Sequence, residues 1–275
     1  MRKTITAAGV ALGVVATLGL AVPAQAVSAT EADLYVLHAV PDLTVDVYVN
    51  DDLTLDDFTP GTLTEAIALP AGDYKVDITA ANAMDNSAPV LTATVSLAAG
   101  TSYTATANLD AAGDPALNLF TNDIATTAAG EGRLTVRHVA AAPAVDILAG
   151  GTPVVEGLEN PEEATLNLPA GTVDAAVAAA GTTAPVLGPA PVAVEDGVLT
   201  IVYAWGSLDD DNLALASQTI TVGHSTPNGV ISGTAGYAAQ NDAAVQTSWI
   251  AGGIAALIAA AAGVFAFSRR IRVES

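Results

Sequence analysis

The sequence predicts an all-β protein made of two antiparallel β-sandwiches in tandem, and three observations carry that expectation. First, apolar and polar residues alternate with a period of two. Val45, Val47 and Val49 alternate with Asp46, Tyr48 and Asn50, and Tyr74, Val76 and Ile78 with Lys75, Asp77 and Thr79. This is the signature of a half-buried strand. Second, turn signals at Pro60-Gly61, Leu69-Pro-Ala-Gly72, Ala99-Gly100 and Ala112-Gly-Asp-Pro115 recur at the short spacing of a sandwich or barrel. Third, His38-Ala-Val-Pro-Asp-Leu-Thr-Val-Asp-Val-Tyr-Val-Asn50 returns one hundred positions later as His138-Val-Ala-Ala-Ala-Pro-Ala-Val-Asp-Ile-Leu148. A repeat of that period in 275 residues implies two small domains, each long enough to bury its own core.

Met1-Arg-Lys-Thr is a basic start, Ile5 to Val22 is apolar, and Ala24-Gln-Ala26 is the small-x-small pattern of a cleavage site. Residues 1–26 are therefore read as a signal peptide. Residues 33–123 form the first domain, with about seven short strands. Residues 124–132 are small and polar and are read as a linker. Residues 133–222 repeat the landmarks of the first domain. Leu168-Pro-Ala-Gly171 answers Leu69-Pro-Ala-Gly72, Ala184-Pro-Val-Leu187 answers Ala88-Pro-Val-Leu91, and Gly197 precedes a Thr/Tyr strand as Gly100 does. Strands this short, with one face apolar and one polar, predict an immunoglobulin-like sandwich in each domain, one face buried and one wet.

Residues 223–248 lack periodicity and are read as a flexible stalk, about 27 Å long as a coil. Residues 249–267 carry no charge. As a helix they span about 28 Å, enough to cross a bilayer. Arg269, Arg270 and Arg272 follow at once in the tail, residues 268–275, which places that tail in the cytoplasm and residues 27–248 outside the cell.

The net charge is −21, and five of the eight basic residues lie at the ends of the chain. Only Lys75, Arg133 and Arg137 remain between them, so residues 27–248 carry 3 minus 28, or −25. Nucleic acid is excluded as a partner, because almost no Lys or Arg is available to displace its counterions. The absence of cysteine excludes disulfides, thiolate chemistry and Cys-bound metal, so packing and strand pairing alone hold the fold.

His38-Ala-Val-Pro-Asp42, Val45-Asp-Val-Tyr-Val49 and Leu69-Pro-Ala-Gly-Asp-Tyr74 together resemble the bacterial domain of unknown function 4397 family. The resemblance covers residues 33 to about 222 and is closest to actinobacterial members with two tandem copies. It implies a secreted or surface-attached protein and supplies no activity. The second copy departs from the pattern, with Ala141 for the opening proline and Ile147-Leu148 for Val-Tyr. No Leu-Pro-x-Thr-Gly sorting signal precedes Trp249, which leaves the apolar span as the anchor.

Candidate chemistry is sparse. His38 and His138 each stand eight residues before an aspartate, Asp46 or Asp146. They suit general bases or metal ligands oriented by a carboxylate, or imidazoles that satisfy backbone groups where a strand turns. No third ligand or nucleophile recurs with them, which favours the second role, and no serine lies in a G-x-S-x-G elbow. No catalytic residue and no cofactor site is assigned, and the chain is not read as an enzyme. The acidic loops Asp51, Asp52, Asp56 and Asp57, and Asp209, Asp210 and Asp211, offer the oxygen ligands calcium prefers. Tyr203 and Trp205 are assigned to opposite faces of one strand, one in the core and the other free to stack on a sugar.

The resulting expectation is a membrane-anchored extracellular surface protein acting as a non-catalytic structural, spacer or interaction module, with a protein or glycan partner on the cell surface. A calcium- or glycan-dependent binding module is the runner-up. A secreted hydrolase ranks third and requires a pocket holding His38 or His138 beside a second polar group.

Overall fold

A computed structural model describes residues 27–225, which lie in one compact unit. The signal peptide, the membrane span, the tail and all but the first three residues of the stalk fall outside the described residues. Among the described residues, no helix is long and apolar enough to cross a membrane.

The chain forms sixteen strands in two halves of eight. The first half holds β1 (Glu31–Ala39), β2 (Val45–Val49), β3 (Asp52–Phe58), β4 (Ile67–Pro70), β5 (Gly72–Ala80), β6 (Leu91–Leu97), β7 (Ser102–Leu109) and β8 (Pro115–Asn122). The second holds β9 (Glu131–Ala141), β10 (Val145–Ala149), β11 (Thr152–Leu158), β12 (Glu163–Pro169), β13 (Gly171–Ala179), β14 (Pro185–Val194), β15 (Val198–Ser207) and β16 (Ala214–Thr221). The sheets run β4-β1-β7-β8 and β3-β2-β5-β6 in the first half, and β12-β9-β15-β16 and β11-β10-β13-β14 in the second. The same order in both halves gives the sequence repeat its structural counterpart.

The repeated motifs mark the corners where the chain changes sheet. His38-Ala-Val-Pro-Asp42 carries it from β1 to β2, and Leu69-Pro-Ala-Gly72 from β4 to β5. The core of each half lies between its two sheets. Val45, Val47, Phe58, Val76, Ile78 and Val95 cluster in the first, and Leu134, Val136, Ile147, Leu158, Val177 and Val202 in the second.

Two expectations need correction. The sheets are mixed rather than wholly antiparallel: β1 pairs β7 in parallel, and β9 pairs β15 in parallel. The cause is parity. Successive strands reverse direction, so β1 and β7, an even number of strands apart, run the same way when the topology makes them neighbours.

The second correction concerns the face read as wet. Every residue from Ser102 to Asn108 is buried, as are all of Leu199 to Ala204, so the central strands β7 and β15 are covered on both sides. Leu34 and Val36 on β1 face the core of their own half, whereas Leu37 and Ala39 point the other way. There they join Phe120, Val139, Leu199, Ile201 and Tyr203 in a cluster drawn from both halves. The β1/β7 sheet and the β9/β15 sheet therefore pack back to back, and the described residues form a stack of four sheets. On β7, Thr104, Thr106 and Asn108 alternate with Tyr103, Ala105 and Ala107, and the general expectation of one wet face per sheet would leave them in solvent. Those polar residues are buried in the contact between halves.

Candidate functional site

Two arginines organise the contact between halves. Arg137 is 1% exposed. Its Nε donates to Glu163 Oε2 at 2.7 Å, Nη1 to the Tyr203 hydroxyl at 2.8 Å, and Nη2 to Asn122 Oδ1 at 3.0 Å. The guanidinium lies 4.4 Å from the centroid of Phe120 and 5.4 Å from that of Tyr203, positions that add cation–π attraction. Tyr203 donates in turn to Gln218 Oε1 at 2.7 Å, and Thr104 of the first half donates to the same oxygen at 3.1 Å. Burial pushes the Tyr203 phenol up, which keeps it a donor across the physiological range.

Arg133 clamps the connecting segment, donating from Nη1 to the carbonyls of Asp123 at 2.8 Å and Ala125 at 2.7 Å. The segment read as a linker, 124–132, is thus bonded along its length. Thr127 bridges to His224, and Ser225 donates to the Thr127 carbonyl at 2.8 Å. The only two arginines between the chain ends are both spent on this contact. Lys75, the third basic residue there, pairs with Asp77 at 2.8 Å and Asp51 at 3.2 Å on the outer sheet.

The histidines are set at the sheet-changing corners. His38 Nε2–H donates to the Leu43 carbonyl at 2.6 Å, and His138 Nε2–H to the Pro143 carbonyl at 3.1 Å. Burial lowers the pKa of both imidazoles. Neither is bonded to the aspartate eight residues on. Asp46 Oδ1 instead accepts the backbone N–H of Asp57 at 2.9 Å, and Asp146 Oδ1 that of Gly157 at 2.8 Å. His138 also lines a cavity of about 50 Å³, whose other walls are apolar groups such as Val145, Val177, Leu187 and Ala204.

Tyr203 and Trp205 lie on the same face of β15, contrary to expectation, because residues two apart on a strand point the same way. Both pack into the cluster between halves. A Cβ on Gly61 would sit 3.2 Å from the Trp205 ring, so the Pro60-Gly61 turn of the first half rests on that indole.

The acidic candidates divide. Asp51 accepts from Lys75 and Asn86 at the hairpin tip, and the exposed turn at Asp209, Asp210 and Asp211 is organised by Ser207 and Asn212. Neither proposed set converges as a whole. Asp56 and Asp57 do meet a third carboxylate, Asp46, with one oxygen of each within 4.8 Å of the others. Asp46 thus stands with Asp56 and Asp57 and not, as its spacing from His38 suggests, with that imidazole. No spacing rule links residue 46 to 56 and 57; the register of β2 against β3 does.

Residues 32–148 match the family model described as a domain of unknown function, DUF4397. That segment belongs to the DUF4397 family. The DUF4397 match covers the first half from the second residue of β1 and runs into β10 of the second, ending two residues after Asp146. Within the DUF4397 segment the recurring His and Asp positions are those that fasten the corner and the β3 or β11 backbone. No curated protein matches the chain.

Proposed function

We propose that this chain is a membrane-anchored extracellular surface protein whose two tandem DUF4397 copies, immunoglobulin-like in architecture, form a rigid non-catalytic spacer or interaction module. The observation that carries the proposal is the buried contact between halves. A spacer must hold distance without hinging, and Arg137, Tyr203, Gln218 and Thr104 tie the two β-sandwich halves through their interior rather than through a tether. The apolar segment 249–267 and the arginines behind it supply the anchor, and residues 1–26 the export signal. The acidic exterior keeps the module soluble and repels nucleic acid and neighbouring copies. Its partner is then a protein or glycan of the cell surface.

The lack of cysteine makes the topology directly testable. Ser87, exposed on the loop after β5, and Ser275 are each replaced by cysteine in the full chain, in cells. A membrane-impermeant maleimide should label Ser87→Cys on intact cells and Ser275→Cys only after permeabilisation. Labelling of Ser87→Cys only after permeabilisation would overturn the proposal.

A further inference from the structure

We propose that Asp46, Asp56 and Asp57, with the hydroxyl of Thr79, form a calcium site on the first half that has no counterpart in the second. The backbone creates the cluster. Pairing of β2 with β3 jumps from Val47 opposite Leu55 to Val45 opposite Phe58, so a bulge sets two residues, Asp56 and Asp57, against the single residue Asp46. Asp46 is 4% exposed. Among the described residues no ion pair reaches any of the three carboxylates, and no hydrogen bond reaches Asp46 Oδ2.

A separate observation comes from the neighbouring strand. Thr79 on β5 is fully buried, and its hydroxyl has no hydrogen-bond partner. It lies directly opposite Asp46 in the β2–β5 register, so both side chains leave the same face of the sheet about 5 Å apart at Cβ. A buried hydroxyl left unpaired is costly. Its oxygen lone pairs are free for a cation beside the carboxylates.

The second half is an internal control. Asp146 holds the bulge there as Asp46 does, but the two residues set against it are Glu156 and Gly157, so only one carboxylate answers the Asp56–Asp57 pair, and its partner across β13 is Ala178. The other oxygen of Asp146 accepts the Gly181 N–H at 2.7 Å. The fold is thus built without a carboxylate at 157, a hydroxyl at 178 or a free aspartate oxygen. In the first half Asp57 keeps its carboxylate at φ 52°, a left-handed conformation that glycine takes in the other copy and that disfavours side chains. The additional oxygens serve no bond of the fold.

The chemistry selects calcium. The ligands are all oxygen, which favours hard cations over zinc or copper. Calcium–oxygen bonds of about 2.3–2.6 Å put ligands on opposite sides of one ion about 5 Å apart, which accommodates carboxylate oxygens that all lie within 4.8 Å of one another. Magnesium needs a tighter octahedron. With two of the three carboxylates exposed, a dissociation constant of about 0.1–1 mM follows from comparable open sites.

The test is flow dialysis of radioactive calcium against the full chain in a non-ionic detergent, at about 0.15 M potassium chloride to screen diffuse attraction. One saturable site in that range is expected. Asp57→Gly, which installs the residue of the second half, should weaken it tenfold or more without lowering the melting temperature in chelator. Thr79→Ala should weaken it severalfold, and Asp51→Asn with Asp52→Asn should leave it unchanged. Absence of saturable binding at 10 mM calcium (a ceiling about ten times the expected constant), wild-type affinity in Asp57→Gly, or loss of binding in the Asp51/Asp52 variant would each overturn the assignment.

Discussion

His38 and His138 show how a residue that looks chemical can be spent on the backbone. Each imidazole closes the corner between two sheets through a carbonyl at position i+5, and burial disfavours its charged form. A lowered pKa in the folded state means that the unfolded chain binds the proton first as pH falls. Stability is then fully present above the unfolded value of about 6.5 and declines as pH drops through the lower folded values. The melting temperature should therefore fall between pH 7.5 and 5.5, a window above the ordinary carboxylate range, and the fall should flatten in His38→Gln/His138→Gln. An equal slope in that variant would show the dependence to lie elsewhere. The histidines' part in the fold was legible from their recurrence without a third ligand. The partner of Asp46 was not, because a bulge cannot be counted from spacing.

At the scale of elements, β5 and β13 occupy equivalent places and differ in side-chain volume. Val76 and Ile78 of the first half are answered by Ala175 and Val177 in the second, as the registers with β2 and β10 align them. The run Ala175 to Ala180 fills this strand of the second half with small side chains. Val177 lines both the cavity of about 50 Å³ at His138 and another of about 20 Å³ beneath Ala175. A cavity of about 30 Å³ remains in the first half, so the difference is one of degree. Val177→Ile places one methylene into this space and should stabilise the protein by about 0.8 kcal/mol, measured by denaturant midpoint at unchanged m-value. Destabilisation would mean that the walls are too rigid to admit it.

The whole molecule depends on a contact that composition disguised. Deleting Arg137 leaves Asn122 and Tyr203 short of a donor and opens a hole against Phe120. Arg137→Ala should cost about 3 kcal/mol or more, as loss of one member of a buried charged network does. The wild-type chain should unfold in one transition and the variant in two, since this network joins the halves; calorimetry distinguishes them. One transition in both, with the same enthalpy, would show that the apolar cluster around Leu37 and Ile201 couples the halves without the arginine.

Most of the strands, the turns and the repeat are legible in the chain alone, although eight strands form in the first half where about seven are expected, because these features follow local rules: side-chain periodicity, turn residues and a repeat that needs no partner to be seen. The sequence also isolated Arg133 and Arg137 as the only arginines between the chain ends. Tertiary structure alone decided which faces are dry, which strands run parallel, and which carboxylates meet. Thr104, Thr106 and Asn108 have the pattern of a wet face, and an alternating strand shows only that its two faces differ. Whether the polar face meets water or a second polar sheet depends on what packs against it, and that partner lies roughly a hundred residues away in the chain.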